Sequence, residues 1–170
     1  MYDVIIIGAG AAGMMAAGTA AQNGKKVLVI EKMEKAGRKI RITGKGRCNL
    51  TNARPPEEFA EQVRTNADFF ATAFAEFNNR ATIRFFERRG LKLDFERGDR
   101  VFPHSGKAWD VANTLEEGCR DNGVEFWFHT RVTGLMTLGG KIFGVRYMNR
   151  RGFERKEEAA WVIVATGGVS

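Results

Sequence analysis

The residues best placed to do chemistry in this chain are three glycines and one carboxylate. Gly8-Ala9-Gly10-Ala11-Ala12-Gly13 has GxGxxG spacing, and Glu31 follows further along. The three glycines serve different ends. Gly8 permits a tight turn, Gly10 lets backbone approach an anion, and Gly13 allows a helix and a strand to close on each other. Ala11 and Ala12 open the helix, whose N-terminus offers unpaired N–H groups and partial positive charge to a pyrophosphate. Glu31 can accept hydrogen bonds from a ribose diol and would repel a 2′-phosphate, which disfavours NADP here. Lys32 adjoins it and is taken with the same cofactor-binding set. The spacing alone says little in a chain with 20 glycines. Its setting supplies the specificity.

That setting is a strand, a turn, a helix and a second strand within one short unit. Tyr2 to Ile7 is a β-branched run suited to a buried parallel strand. Ala11 to Asn23 reads as a helix closed by Gly24, and Val27 to Ile30 as the second strand, with Glu31 at its end. The uncharged run 4–21 is not a membrane span or a signal segment, because it is rich in Ala and Gly, carries a Gly turn in its middle and has no preceding base.

A second constellation is electrostatic. The net charge is +7, and Lys35, Arg38, Lys39, Arg41, Lys45, Arg47 and Arg54 equal it while no acid lies among them. Charge confined to one loop suits a small phosphate ligand better than a nucleic acid, whose footprint spreads over a helix face or several loops. Residues 36–54 read as loop. Arg41, Lys45 and Arg54 read as solvated charges. Cys48 and Cys119 have no CxxC partner, so neither a disulfide framework nor a zinc site is expected, and a reducing cytoplasm fits. No metal is expected. His104, after Pro103, is a weak acid–base candidate, and His129 reads as a structural histidine of an apolar strand.

The remaining elements follow from periodicity. Helical patterns run from Pro55-Pro56 with Phe59 and Val63, through Phe69, Phe70, Phe74 and Phe77, and from Asn79 to Gly90, their phenylalanines read as core. Leu91, Leu93 and Phe95 alternate toward a hairpin with Arg100 to Phe102. A helix from Lys107 to Asn122 feeds the strand Val124 to His129. Val132 to Leu138, Lys141 to Met148 and Phe153 to Lys156 form a meander, and Trp161 to Ala165 reads as a last buried strand running into Thr166-Gly167-Gly168.

Gly37-Arg38-Lys39-Ile40-Arg41-Ile42-Thr43-Gly44-Lys45-Gly46-Arg47-Cys48-Asn49-Leu50-Thr51-Asn52 resembles the GRKxxxTGxGRCNxTN signature of the BaiN-like or aminoacetone-oxidase-type bacterial flavoproteins, within the two-dinucleotide-binding-domain flavoprotein superfamily. Arg100-Val101-Phe102-Pro103, Ser105, Lys107-Ala108 and Ala165-Thr166-Gly167-Gly168 agree with it in order. By that resemblance Arg38, Lys39, Gly44, Gly46, Arg47, Cys48 and Asn49 line FAD, Val132 borders the adenine, and Ala165, Thr166 and Gly167 pass the pyrophosphate. Cys48 is then a small residue beside the cofactor, not a catalytic thiol.

The fold expected is α/β, a Rossmann-like FAD/NAD(P)-binding domain with parallel strands 2–7, 26–31, 124–130 and 161–165 and a three-stranded β-meander crossover. The resemblance implies an FAD-dependent oxidoreductase with NAD(P)H as a candidate reductant, or an oxidase, acting on a small organic substrate, with no nucleic acid or membrane partner. Residues 1–170 would form the N-terminal part of an FAD-binding domain, without its substrate domain and closing segment. An NAD-dependent Rossmann enzyme, a nucleic-acid-associated flavoprotein and a non-catalytic nucleotide-binding fragment are the alternatives. Substrate, catalytic groups and oligomeric state stay open.

Overall fold

The computed structural model describes residues 1–168 and divides into two compact units, Met1–Lys39 with Leu115–Ser170, and Ile40–Thr114.

The first unit is built on β1 (Tyr2–Ile7), α1 (Ala11–Gln22), β2 (Val27–Ile30), β6 (Glu125–Trp127), β7 (Arg131–Leu138), β8 (Lys141–Met148) and β9 (Glu154–Val164). Its six strands lie in the order β6-β2-β1-β9-β8-β7. β1 runs parallel to β2 on one side and β9 on the other, and β2 runs parallel to β6. This is the expected α/β Rossmann-type arrangement. Ile5, Ile6, Val27, Leu28, Val29 and Ile30 are 0–2% exposed. Such an unbroken apolar run is what a strand covered on both faces requires.

Two strand assignments need correction. The third meander strand and the last parallel strand are one eleven-residue strand, β9. Its first half pairs antiparallel with β8, from Met148↔Glu154 to Gly144↔Glu158, and its second half pairs parallel with β1. The acidic pair Glu157-Glu158 after Lys156 imitates a break between two strands, but charges on a partly exposed strand do not interrupt a backbone ladder. Nor is that strand buried throughout: Trp161 is 72% and Val164 62% exposed. β6 stops at Trp127, and His129 lies beyond it, exposed, with a left-handed φ of 51°, so it is not part of an apolar strand.

A polar brace ties the sheet's edge to its centre. The Tyr2 hydroxyl donates to Glu125 Oε2 at 2.6 Å, and Trp127 Nε1 donates to Glu125 Oε1 at 2.7 Å. These donors hold the Glu125 carboxyl below its ordinary value of 4.5, while burial and the facing carboxylate push the Tyr2 phenol up. A carboxyl with a depressed folded pKa contributes stability above its unfolded value and loses it as pH falls through the folded one. Tyr2→Phe should therefore cost about 1 kcal/mol at neutral pH and flatten the acid limb of stability below 4.5. Denaturant melts of both proteins across that range check it.

The second unit contains β3 (Thr51–Asn52), α3 (Pro56–Ala60), α4 (Ala67–Glu76), α5 (Asn79–Glu87), β4 (Leu93–Glu96) and β5 (Arg100–Pro103), with α2 (Arg38–Ile42) at its entry and α6 (Ala108–Asp121) at its exit. β3, β5 and β4 form an antiparallel sheet, which includes the expected hairpin across Gly98. The 36–54 segment is not all loop. It holds α2, a tight turn at Thr43–Gly46 with left-handed residues, and β3. The glycines and charges that read as loop residues are compatible with such single turns, which need no apolar periodicity.

Phe59, Phe70 and Phe74 stack with centroids 5.1 and 4.9 Å apart, and Phe85 meets Phe77 and Phe86 edge-on. Phe69, however, is 87% exposed and is not core. One residue before Phe70, it is rotated about 100° around the helix axis from the stacking face.

Candidate nucleotide-binding site

The glycine turn has the geometry its residue types demand. Gly8 sits at φ 104°, and a Cβ there would meet the Ala165 carbonyl oxygen at 2.6 Å. A Cβ on Gly13 would lie 2.0 Å from the Gly8 carbonyl oxygen. These two glycines are closed by protein: turn, helix and strand meet where any side chain would intrude. Gly10 is different. It caps α1 in an extended conformation (φ −79°, ψ −176°), and nothing lies within 4 Å of a Cβ built on it. Ala11 and Ala12 are exposed beside it. A glycine with open space before it, at the N-terminus of a twelve-residue helix, leaves room for an anion where a side chain would otherwise stand.

Glu31 is fixed beside that space. Its Oε2 accepts from the Ala9 N–H at 2.8 Å and its Oε1 from the Met33 N–H at 2.9 Å. Each carboxylate oxygen keeps a lone pair for a further donor such as a ribose hydroxyl. Sequence reasoning gave Glu31 a ligand-binding role and missed this structural one; the N–H of the x residue in GxG was the available signal. Glu31→Gln leaves only one of the two amides an acceptor. It should lower stability by about 1–2 kcal/mol and weaken flavin binding about tenfold, measured by melting and by FAD titration of the same preparations.

Two further segments of the first unit, 37–39 and 165–168, converge here. Ala165 N–H donates to the Ile7 carbonyl at 2.9 Å, and Gly37 N–H donates to the Ala9 carbonyl at 2.7 Å. Lys39 Nζ reaches the Gly168 carbonyl at 3.3 Å and lies 3.3 Å from a Cβ position on Gly167. Gly8, Gly13, Glu31, Lys39, Ala165 and Gly167 are thus brought together, with Thr166 exposed in the same turn. Arg38 is exposed, its Nη1 3.3 Å from Met33 Sδ, and Lys32 is exposed next to Glu31. Val132 pairs with Tyr147 and packs on the core, beside a register shift toward Gly134. Its backbone is what it has to offer a ligand.

The other resemblance-derived residues belong to the second unit. Gly44, Lys45, Gly46 and Cys48 all have positive φ, from 54° to 85°, so the chain turns sharply there. Arg47 pairs with Glu96, and its guanidinium lies 4.3 Å from the Phe102 ring centroid. Asn49 is exposed. Burial raises the Cys48 pKa, opposed by a hydrogen bond with Thr43, so the thiol is held protonated. That state is the reverse of an activated nucleophile. Arg41 is not a solvated charge: it is 9% exposed and lies over the Trp109 ring at 4.4 Å. Arg54 donates Nε to Asn52 Oδ1 at 3.0 Å. Asn79, also missed, donates to the Asn52 and Arg54 carbonyls at 2.7 and 2.8 Å and braces the end of this loop. His104 Nδ1 lies 2.9 Å from Asp94 in an exposed pair. Among the described residues no group of three His, Cys, Asp or Glu could hold a metal, and no helix is long and apolar enough to cross a membrane.

Residues 2–170 match the HI0933-like protein Rossmann domain. The chain belongs to this family. It is a Rossmann-type domain of FAD-binding flavoproteins, with oxidoreductases among its relatives. It is similar to the 3-dehydro-bile acid delta(4,6)-reductase of Clostridium scindens, at 34% identity over 99% of this chain and 39% of that protein. It is equally similar in extent to the ribosomal RNA dihydrouridine synthase of Escherichia coli, at 31% identity over 99% of this chain and 40% of that protein. The chain thus spans about two-fifths of the length of these curated relatives. Among solved structures, 3-ketosteroid-delta4-(5alpha)-dehydrogenase from Rhodococcus jostii shares its fold with a TM-score of 0.74 at 19% identity, covering 98% of this chain and 46% of that one.

Proposed function

We propose that this chain supplies the adenosine- and pyrophosphate-binding half of an FAD site in an oxidoreductase that takes its electrons from NAD(P)H and acts on a small organic substrate. The observation that carries the reading is the open position at Gly10, set at the α1 N-terminus beside an anchored Glu31 while Gly8 and Gly13 are closed. The α1 N–H groups would receive the pyrophosphate, Glu31 the ribose hydroxyls, and the Val132 backbone the adenine edge. Lys39, tied to the Thr166–Gly168 turn, would add positive charge. Arg38, Gly44, Gly46, Arg47, Cys48 and Asn49 are assigned to the same cofactor by the loop signature. Bound FAD supplies hydride transfer at its isoalloxazine ring; the protein binds and orients it.

The bile acid reductase is named for the delta(4,6) unsaturation it reduces in its substrate, and the dihydrouridine synthase for a product in which a carbon–carbon double bond has been saturated. Reduction of a conjugated double bond is accordingly the reaction class favoured over oxidase chemistry. The RNA-acting relative keeps one second reading in play, a flavoprotein that works on RNA. Both cysteines are buried thiols outside any disulfide, which suits a reducing cytoplasm. The test is anaerobic titration of the FAD-loaded protein with NADH and NADPH. Bleaching of the flavin band by either supports the reductase reading; a flavin that neither coenzyme reduces removes it.

A further inference from the structure

A cavity of about 400 Å³ opens in the first unit between the end of β6 and the β8–β9 turn, lined by Trp127, Phe128, Thr130, Asn149, Arg150 and Arg151. Its two walls differ in chemistry, and each is held by its own contacts. The aromatic wall is held by Trp127, whose Nε1 donates to Glu125 and whose ring meets Tyr2 edge-on and Tyr147 at 5.4 Å. Phe128 stacks on Phe126. The basic wall is a tight turn in which Asn149 Oδ1 accepts from the N–H groups of Arg151 and Phe153, both at 3.0 Å. Asn149 N–H donates to the Phe153 carbonyl, and Gly152 takes φ 78°.

This turn carries two arginines consecutive in sequence and exposed, and among the described residues neither Arg150 nor Arg151 has an acidic partner. Glu125, close to the aromatic wall in sequence, already accepts from Tyr2 and Trp127. Two cations that line one cavity without acidic partners attract an anion, and arginine's planar fork suits a phosphate. An aromatic wall facing that fork suits a nucleobase, since every base has a face to stack.

We propose that this cavity is a second nucleotide site, taking a nucleoside phosphate with its base against Trp127 and Phe128 and its phosphate on Arg150 and Arg151. It uses other side chains than the FAD reading above and does not depend on it, although its walls adjoin that site: the Glu31 N–H donates to the Trp127 carbonyl at 2.9 Å and the Thr130 N–H to the Glu31 carbonyl at 3.0 Å. The ligand comes either from single-stranded RNA or from a free mononucleotide.

The experiment is equilibrium binding of a short fluorescein-labelled oligouridylate, and of AMP in competition, to the wild-type protein and to the double variant Arg150→Ala/Arg151→Ala, with FAD retention measured in parallel. The variant sits on an exposed turn and removes no core contact. The expected result is binding by the wild type, at least about tenfold weaker binding by the variant, and unchanged FAD retention. For RNA the salt dependence should also lessen by about 1.4 in log–log slope for two lost phosphate contacts. Stronger binding of oligouridylate than of AMP names RNA as the source; comparable binding names a mononucleotide, and both support the site. Equal affinity of variant and wild type, no binding by the wild type, or parallel loss of FAD from the variant would each overturn it.

Discussion

Gly13→Ala should fail to fold to the native turn, or fold with a loss of more than about 3 kcal/mol, beyond the ordinary range for overpacking. The added methyl would stand 2.0 Å from the Gly8 carbonyl oxygen. That neighbour is backbone and cannot rotate away. Gly8 itself is pressed against the Ala165 carbonyl, so the turn cannot retreat toward β9 either. Relief would require α1 to lift off β1, exposing Met14 and Ala17, which are now 1% and 0% exposed. For a chain of this size the loss corresponds to a fall of roughly 10 °C in Tm. Differential scanning calorimetry checks it, and flavin binding should disappear with the fold.

Gly10→Val should do the opposite: fold normally and lose the cofactor. Its φ and ψ are open to any residue, and no protein atom lies within 4 Å of the new Cβ. Stability should fall by no more than about 1 kcal/mol, the cost of a poorer N-cap residue. The isopropyl group would occupy the space where a pyrophosphate must approach the α1 N–H groups, and FAD affinity should fall at least about 100-fold. An affinity within about threefold of wild type, in a protein that melts normally, would remove Gly10 from the site. Two glycines three residues apart thus separate the folding role of the motif from its binding role.

Much of this arrangement was legible in the sequence because it depends on local chemistry. β1, α1 and β2 follow from a β-branched run, an Ala-rich run closed by Gly24, and a second β-branched run. The roles of Gly8 and Gly13 follow from backbone geometry that only glycine satisfies. Non-local information was hidden. Nothing in Glu157 and Glu158 announces that the strand continues from Lys156 to Trp161, because its register is set by β8 and β1. The burial of Arg41 depends on Trp109, the pairing of Arg47 on Glu96, and the brace at Asn79 on two carbonyls near β3. A basic loop read by charge alone treats all its arginines as equivalent. Tertiary partners distinguish them.

If the glycine turn and Glu31 read the adenosine diphosphate half of FAD, competition between FAD, ADP and FMN for the purified wild-type protein shows it most directly. FAD should bind, ADP should displace it, and FMN, which lacks that half, should neither bind comparably nor compete. FMN binding as tightly as FAD, or FAD binding that ADP leaves untouched, would contradict the assignment.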